Sequence, residues 1–125
     1  MVVIGTIAFV HEDNRRSIAE FDSPEGGFSV QIFKIKEKIP LGNHYHAEKD
    51  EVFVIVGDGM VFFAEVNRDT FEVGYICGEV VTTGSVIKIP AYTAHTFVLK
   101  PGSKMLCYST KPFDKEDLRP CKMVI

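Results

Sequence analysis

Short apolar runs recur along the chain and alternate with clusters of Gly, Pro, Asn and Asp. Val, Ile, Phe and Thr dominate these runs, and no helical period extends beyond a couple of turns. This spacing is typical of strands joined by tight turns, so the pattern predicts an all-β fold. The predicted strands cover residues 1–10, 17–21, 28–36, 60–66, 71–77, 79–83, 84–90 and 104–109, with further strands around 51–56 and 95–99.

The strand that begins at Glu51 has the clearest alternation. Glu51, Phe53 and Ile55 share one face, and the three valines between and after them share the other. Because a buried carboxylate is costly unless it is paired or bound to a cation, Glu51 is a functional candidate. The turn Gly57-Asp58-Gly59 predicts that the chain returns along 60–66 as a hairpin and continues as a meander.

Three histidines are predicted to lie on inward faces. In an extended chain His44 and His46 point the same way, and His95 shares its parity with the apolar Phe97. Three imidazoles and one carboxylate suit a divalent metal such as Zn, Mn, Fe or Ni, and they leave positions open for water or substrate.

The acidic member of this set has three candidates. Glu51 is preferred because of its parity with the apolar positions that follow it. Asp50 stays open as an alternative ligand, and Glu48 is a weaker candidate because it is expected on the loop between two strands.

Composition narrows the class of protein. At 125 residues the chain has the length of one domain, 1–125, and a net charge of -3 offers no field to attract nucleic acid. The apolar runs are far shorter than the roughly 20 residues of a membrane helix, so no membrane partner is expected.

Three widely spaced cysteines fit neither a disulfide framework nor a zinc site, which favours a reducing cytoplasm. The apolar strand 1–10 has little core to cover it, so a homodimer is expected.

Two motifs resemble those of the cupin superfamily. His44-Tyr-His46 is followed after four residues by Glu51, and Gly84 is followed by Pro90 and His95 at the second motif's spacing. Gly57 follows Glu51 one residue earlier than in the family, and Tyr92 and Leu99 replace its Gly and Asn. The resemblance implies a double-stranded β-helix, the jelly-roll barrel, over about 28–110. The residue pattern adds N-terminal strands in 1–21 and a C-terminal tail, 111–125, whose two prolines and alternating charges are consistent with one helical turn. It also implies the metal ligands His44, His46, Glu51 and His95.

A narrower likeness points to the small cupins that act on nucleotide sugars, the sugar ketoisomerases and capsule-sugar epimerases. Asp13-Asn-Arg-Arg16 and Gly42-x-His44-x-His46 are similar to segments of those proteins, although Arg16 replaces a glycine and Leu41 an arginine. The resemblance implies isomerisation or epimerisation of a keto sugar, a nucleotide sugar or a similar small polar metabolite.

The catalytic assignment stays open at this point. A metal acting as Lewis acid needs a base, for which His44 or His46 is a candidate, and Tyr92 or Tyr45 is a candidate proton donor. The same ligands holding iron would permit dioxygen chemistry or decarboxylation of a small acid. A non-catalytic barrel that binds a small-molecule ligand is the third possibility.

Overall fold

The computed structural model describes residues 7–22, 29–111 and 114–123, together with Val2 and Ile4. Within these ranges the chain is built from antiparallel strands and a single short 3₁₀ helix, which confirms the all-β prediction. The strands are β1 Ala8–Glu12, β2 Arg16–Asp22, β3 Ser29–Ile35, β4 Leu41–Tyr45, β5 Glu51–Val56, β6 Gly59–Glu65, β7 Cys77–Val81, β8 Val86–Ile89, β9 Thr93–Leu99, β10 Lys104–Ser109 and β11 Arg119–Pro120, and the 3₁₀ helix is Lys115–Asp117.

The strands form two sheets. One has the order β1-β2-β3-β10-β5-β8, and the other has the order β11-β4-β9-β6-β7. Alternate residues face the space between the sheets in β5 and β10, where buried and more accessible positions alternate. The main core cluster draws on both sheets and contains Ile35, Leu41, Phe53, Ile55, Val61, Val81, Ile89, Phe97, Leu99, Met105 and Cys107. The architecture is the jelly roll that the sequence motifs implied.

The predicted meander after Glu51 is wrong. β5 pairs with β10 and β8, whereas β6 pairs with β9 and β7, so the turn at Gly57 carries the chain from one sheet to the other. Gly57 has a φ of 139°, and a Cβ there would overlap the side chain of Ser103. The turn is therefore a sheet-to-sheet corner packed against the β9–β10 connection, and the pattern of apolar residues does not distinguish it from a hairpin.

The predicted strand at 71–77 is also wrong. Phe71 has a φ of 62°, which interrupts an extended chain, and the Asn67 side chain accepts hydrogen bonds from the backbone of Asp69 and Thr70. The segment meets β6 and its continuation through the isolated bridge between Val66 and Val73, the hydrogen bond from the Gly74 amide to the Glu65 carbonyl, and the pairing of Cys77 where β7 begins. Turn chemistry therefore overrides the strand preference of its apolar residues.

The two ends of the chain match the expectations in part. The expected strand 1–10 overlaps β1, although residues 1, 3, 5 and 6 lie outside the described residues, as does 23–28. The tail forms its expected helical turn and then pairs with β4 through β11. The three cysteines are free. No helix in the described ranges is long and apolar enough to cross a membrane.

A bulge in β4 sets the position of the histidines. The register between β4 and β9 shifts after Gly42, so that His44 lies directly opposite His95. Gly42 has a φ of 129°, and a Cβ at this position would lie 2.6 Å from the backbone oxygen of His95. The glycine therefore permits both the bulge and the close approach of the two strands.

Gly42→Ala is expected to destabilise the protein more than Gly84→Ala. Gly84 also has a positive φ, 92°, but a Cβ there meets nothing within 4 Å. Both variants carry the backbone strain, and Gly42→Ala adds the overlap with β9, which we expect to cost about 1–3 kcal/mol more. Urea unfolding of the two variants measures the difference, and equal losses would contradict this account of the bulge.

Candidate metal centre

Four side chains meet between the two sheets. His44 and His95 come from β4 and β9 of one sheet, and Glu51 comes from β5 of the other. Their ligand atoms lie within 4.8 Å of one another, which makes this trio a group that could hold a metal ion. His46 lies just beyond β4, with its ring centroid 5.0 Å from that of His44. The structure therefore brings together all four residues that the motifs single out.

The Glu51 carboxylate lies at the centre of the group. Its Oε1 is 3.3 Å from Nε2 of His46 and 3.6 Å from Nε2 of His95. Oε1 is buried and has no hydrogen-bond partner among the described residues, whereas the thiol of Cys107 donates to Oε2 at 3.3 Å. A buried carboxylate oxygen that faces imidazole nitrogens without a donor fits a bound cation.

Backbone carbonyls orient two of the imidazoles. Nδ1 of His46 lies 3.0 Å from the carbonyl oxygen of Asp117, and Nδ1 of His95 lies 3.0 Å from that of Thr93. Because a carbonyl can only accept, the Nδ1 atoms carry the hydrogen and the Nε2 lone pairs face Glu51. This is the arrangement by which proteins fix metal-binding histidines.

Asp117 also fixes the turn that follows His46. Its carboxylate accepts hydrogen bonds from the backbone amides of Ala47 at 2.9 Å and Glu48 at 3.1 Å. The side chain is buried, and the 3₁₀ helix Lys115–Asp117 places it there. The sequence analysis missed this residue, because the tail has no periodic pattern that would link it to the turn.

Burial keeps the three imidazoles neutral. It lowers the pKa of His44 to about 2, with further lowering by the neighbouring His95 and His46. Burial likewise lowers the pKa values of His46 and His95, although the carboxylate of Glu51 opposes the shift. Neutral imidazoles have free lone pairs at physiological pH, which a metal ligand requires.

The other two acidic candidates point elsewhere. Glu48 is exposed, with its carboxylate 3.9 Å from the ammonium group of Lys111. The carboxylate of Asp50 accepts a hydrogen bond from the backbone amide of Ala91 at 2.8 Å and so stabilises the corner between β8 and β9. Glu51 is thus the acid that the structure brings to the histidines.

The two tyrosines near the motifs lie away from the group. Tyr45 and Tyr92 pack against each other with ring centroids 5.9 Å apart, and the guanidinium of Arg68 lies 4.5 Å above the Tyr92 ring. Both belong to a second apolar cluster with Val66 and Ala94. Neither is among the described residues that line the cavity at the histidines.

A cavity of about 470 Å³ opens above the four side chains. Its wall is apolar at Phe33, Leu41, Phe53, Phe97 and Met105. Its polar members are His11, Arg16, Glu20, Gln31 and Lys49, and the sequence analysis assigned no role in the site to any of them. The sequence does contain an indication for Lys49. It precedes Glu51 by two residues, so in an extended chain the two side chains point to the same face. Arg16 and Glu20 reach the cavity only through the pairing of β2 with β3.

Solved structures of known proteins share this fold. CapF of Staphylococcus aureus, described as a capsular polysaccharide assembling protein, is 25% identical, with a TM-score of 0.74 over 96% of this chain and 33% of that chain. Its structure with the inhibitor 3-isopropenyl-tropolone gives 28% identity and a TM-score of 0.73 over 94% of this chain and 35% of that one. An oxalate decarboxylase of Bacillus subtilis, 15% identical, gives a TM-score of 0.70 over 91% and 30% of the two chains. The chain thus spans about a third of the length of these proteins.

The fold and the His–Glu–His group define a cupin with a site that could hold a metal ion. No curated protein sequence matches the chain. The chain belongs to the polysaccharide biosynthesis C-terminal domain family, whose sequence model matches residues 11–118.

Acidification is expected to destabilise the metal-free protein through its buried histidines. Between the ordinary pKa of about 6.5 and the native value of about 2, His44 binds a proton only in the unfolded state. The free energy of unfolding therefore falls as the pH decreases below 6.5, by up to about 1.4 kcal/mol per pH unit for one such group. Urea unfolding in the presence of a chelator, from pH 7 to pH 5, measures this slope.

The matched variants are His44→Gln and His11→Gln. Removal of the half-buried His44 imidazole is expected to flatten the pH dependence, whereas removal of the exposed His11 leaves the contribution of His44 in place. Parallel curves for wild type and His44→Gln would contradict the neutral state of His44.

Proposed function

We propose that the protein binds a divalent metal ion through His44, His46, Glu51 and His95 and catalyses isomerisation or epimerisation of a keto sugar or nucleotide-linked keto sugar. The observation that carries this proposal is the buried Oε1 of Glu51, which lacks a hydrogen-bond donor and faces the Nε2 atoms of two oriented imidazoles. The donor set suits Zn, Mn, Fe or Ni. A bound ion would supply Lewis-acid polarisation of the substrate ketone.

The cavity supports a sugar-like substrate. Its volume is within the range of small-molecule sites, and its apolar wall carries a few polar groups that can bind hydroxyls. Glu20 and Gln31 are adjacent across β2 and β3, and both line the cavity. The likeness to CapF, a capsular polysaccharide assembling protein, favours a sugar substrate.

Proton transfer requires a base outside the metal set. With all three histidines assigned to the ion, we assign this role to Glu20 in place of His44 or His46. Its Oε1 accepts hydrogen bonds from Ser29 at 3.1 Å and Gln31 at 3.4 Å, and its Oε2 has no hydrogen bond to a described residue. The carboxylate would take the proton from the carbon beside the ketone. It would return that proton to the neighbouring position in isomerisation, whereas epimerisation needs a proton from the opposite face, delivered by a second acid or by water.

Pairing of two copies stays a prediction. It is supported by the position of β1 at a sheet edge and by Val10, which is 53% exposed on that strand. An exposed apolar edge favours self-association.

The metal assignment predicts that His95→Ala loses the ion. Loss of a group that merely orients a ligand weakens metal binding about 10–100-fold, so loss of a ligand is expected to weaken it at least about 100-fold. Competition titration with Zn and elemental analysis of the purified protein measure the affinity and the stoichiometry. Glu48→Ala, a neighbouring exposed acid, serves as the control and is expected to bind like wild type.

A His95→Ala variant that retains wild-type affinity would overturn the ligand assignment. Wild-type protein that binds none of Zn, Mn, Fe or Ni would overturn the metal centre as a whole.

The base assignment predicts that Glu20→Gln retains the metal but loses proton exchange. The assay follows deuterium uptake from D₂O at the carbon beside the ketone, by NMR, across a panel of nucleotide-linked keto sugars. Loss of a general base is expected to slow exchange about 10²–10⁴-fold. Glu65→Gln, an exposed acid at the end of β6, is the matched control.

Rapid exchange by Glu20→Gln would overturn the role of Glu20. Wild-type protein that binds these sugars without exchange would indicate a non-catalytic binder. Turnover of a small acid in place of a sugar would indicate decarboxylase or dioxygenase chemistry.

A further inference from the structure

Lys49 is a buried cation that the proposed reaction leaves without a role. The residue is only 5% exposed, and it lines the cavity beside His46 and Glu51. Lysine is almost never buried to this degree unless its ammonium group is paired, because removal of a charge from water is costly. Its environment must therefore contain, or be able to receive, a compensating group.

The one acidic partner of Lys49 among the described residues does not satisfy it. Nζ lies 4.0 Å from Oε2 of Glu51, which is beyond hydrogen-bond distance. Oε2 already accepts from the thiol of Cys107. An ammonium group has three donors, and the described residues supply no hydrogen-bond acceptor for any of them.

The backbone on both sides of Lys49 is fixed. The amide of Glu48 donates to the carboxylate of Asp117, and the amide of Asp50 donates to the hydroxyl of Thr110 at 3.2 Å. The side chain of Asp50 is held in turn by the amide of Ala91. The direction of the Lys49 side chain into the cavity is therefore set before any ligand arrives.

A bound cation would increase the need for an anion. In the metal-free site the carboxylate of Glu51 and the ammonium group of Lys49 lie 4.0 Å apart and carry opposite charges. A divalent ion on Oε1 of Glu51 would then leave the floor of the cavity positively charged. Between the apolar walls of this recess the charge is screened less than at the open surface, so a negatively charged ligand oxygen is favoured there.

We propose that Lys49 donates hydrogen bonds to a negatively charged ligand oxygen at the cavity floor. The site then prefers ligands with an anionic oxygen beside a second oxygen, as in α-hydroxycarboxylates and the ene-diolate form of a keto sugar, over their neutral counterparts. This assignment rests on the proposed function, because it names the group that would stabilise the charge formed when a keto sugar loses its proton. Lys49 selects the charged form of the ligand.

The experiment compares glycolate with its neutral isostere glycolamide in Zn-loaded protein, by isothermal titration calorimetry. Wild type is expected to prefer glycolate, and Lys49→Met is expected to weaken glycolate binding about tenfold or more while glycolamide binding changes little. The same variant is expected to bind Zn as tightly as wild type or more tightly, because it removes a positive charge beside Glu51. A merely structural role would weaken Zn binding as well.

Two further variants control for folding and for charge. Lys111→Met removes an exposed lysine and is expected to behave like wild type. Lys49→Arg keeps the charge and is expected to retain the preference for glycolate. Equal glycolate affinities of wild type and Lys49→Met would overturn the proposal, as would a wild type that does not prefer glycolate to glycolamide.

Failure of the Lys49 proposal can be distinguished from failure of the metal proposal. Wild type that binds no Zn overturns the metal centre, and glycolate is then titrated into the metal-free protein. A loss of affinity in Lys49→Met still supports the role of Lys49 there. Equal binding, or no binding by wild type, overturns it.

Discussion

The burial of one carboxylate constrains the whole structure. Glu51 begins a strand whose following residues pack in the main core, and its charge can remain there only if neighbouring groups compensate it. The compensation comes from the Lys49 ammonium, 4.0 Å from Oε2, and from the Cys107 thiol of β10, while His46 and His95 direct Nε2 lone pairs at Oε1, an arrangement that fits a bound cation. The strands must therefore keep both their register and their separation, and the bulge at Gly42 is the local device that achieves this.

Much of the site could be predicted because its signals are local. The alternation after Glu51 and the spacing of His44 and His46 depend only on an extended backbone, so the sequence identified the residues that meet. Even so, His44 lies opposite His95 because of a bulge in β4. The alternation of side chains along an ideal strand does not predict that bulge. The residues that meet were thus predicted from an idealised strand, and the bulge in β4 modifies that geometry.

The remaining features depend on contacts between distant parts of the chain. A Gly-Asp-Gly turn allows either a hairpin or a change of sheet, and only the partners of β5 and β6 decide between them. Arg16, first noted as the replacement of a glycine, lines the cavity because β2 extends the sheet beside β3. Lys49 had a local signal in its parity with Glu51, but lysine is so commonly exposed that parity alone did not mark it as buried.

The contact between Asp117 and the turn after His46 joins two parts of the chain that are made at different times during translation. Ala47 and Asp117 are 70 positions apart, and translation adds about 5–20 residues per second. The His44–His46 segment therefore exists for several seconds before the carboxylate that fixes its turn has been made. During that interval the carbonyl and the carboxylate of Asp117, which orient this segment in the folded protein, are absent. Docking of the segment that carries Asp117 would then be the step that orients His46 and fixes the turn behind it.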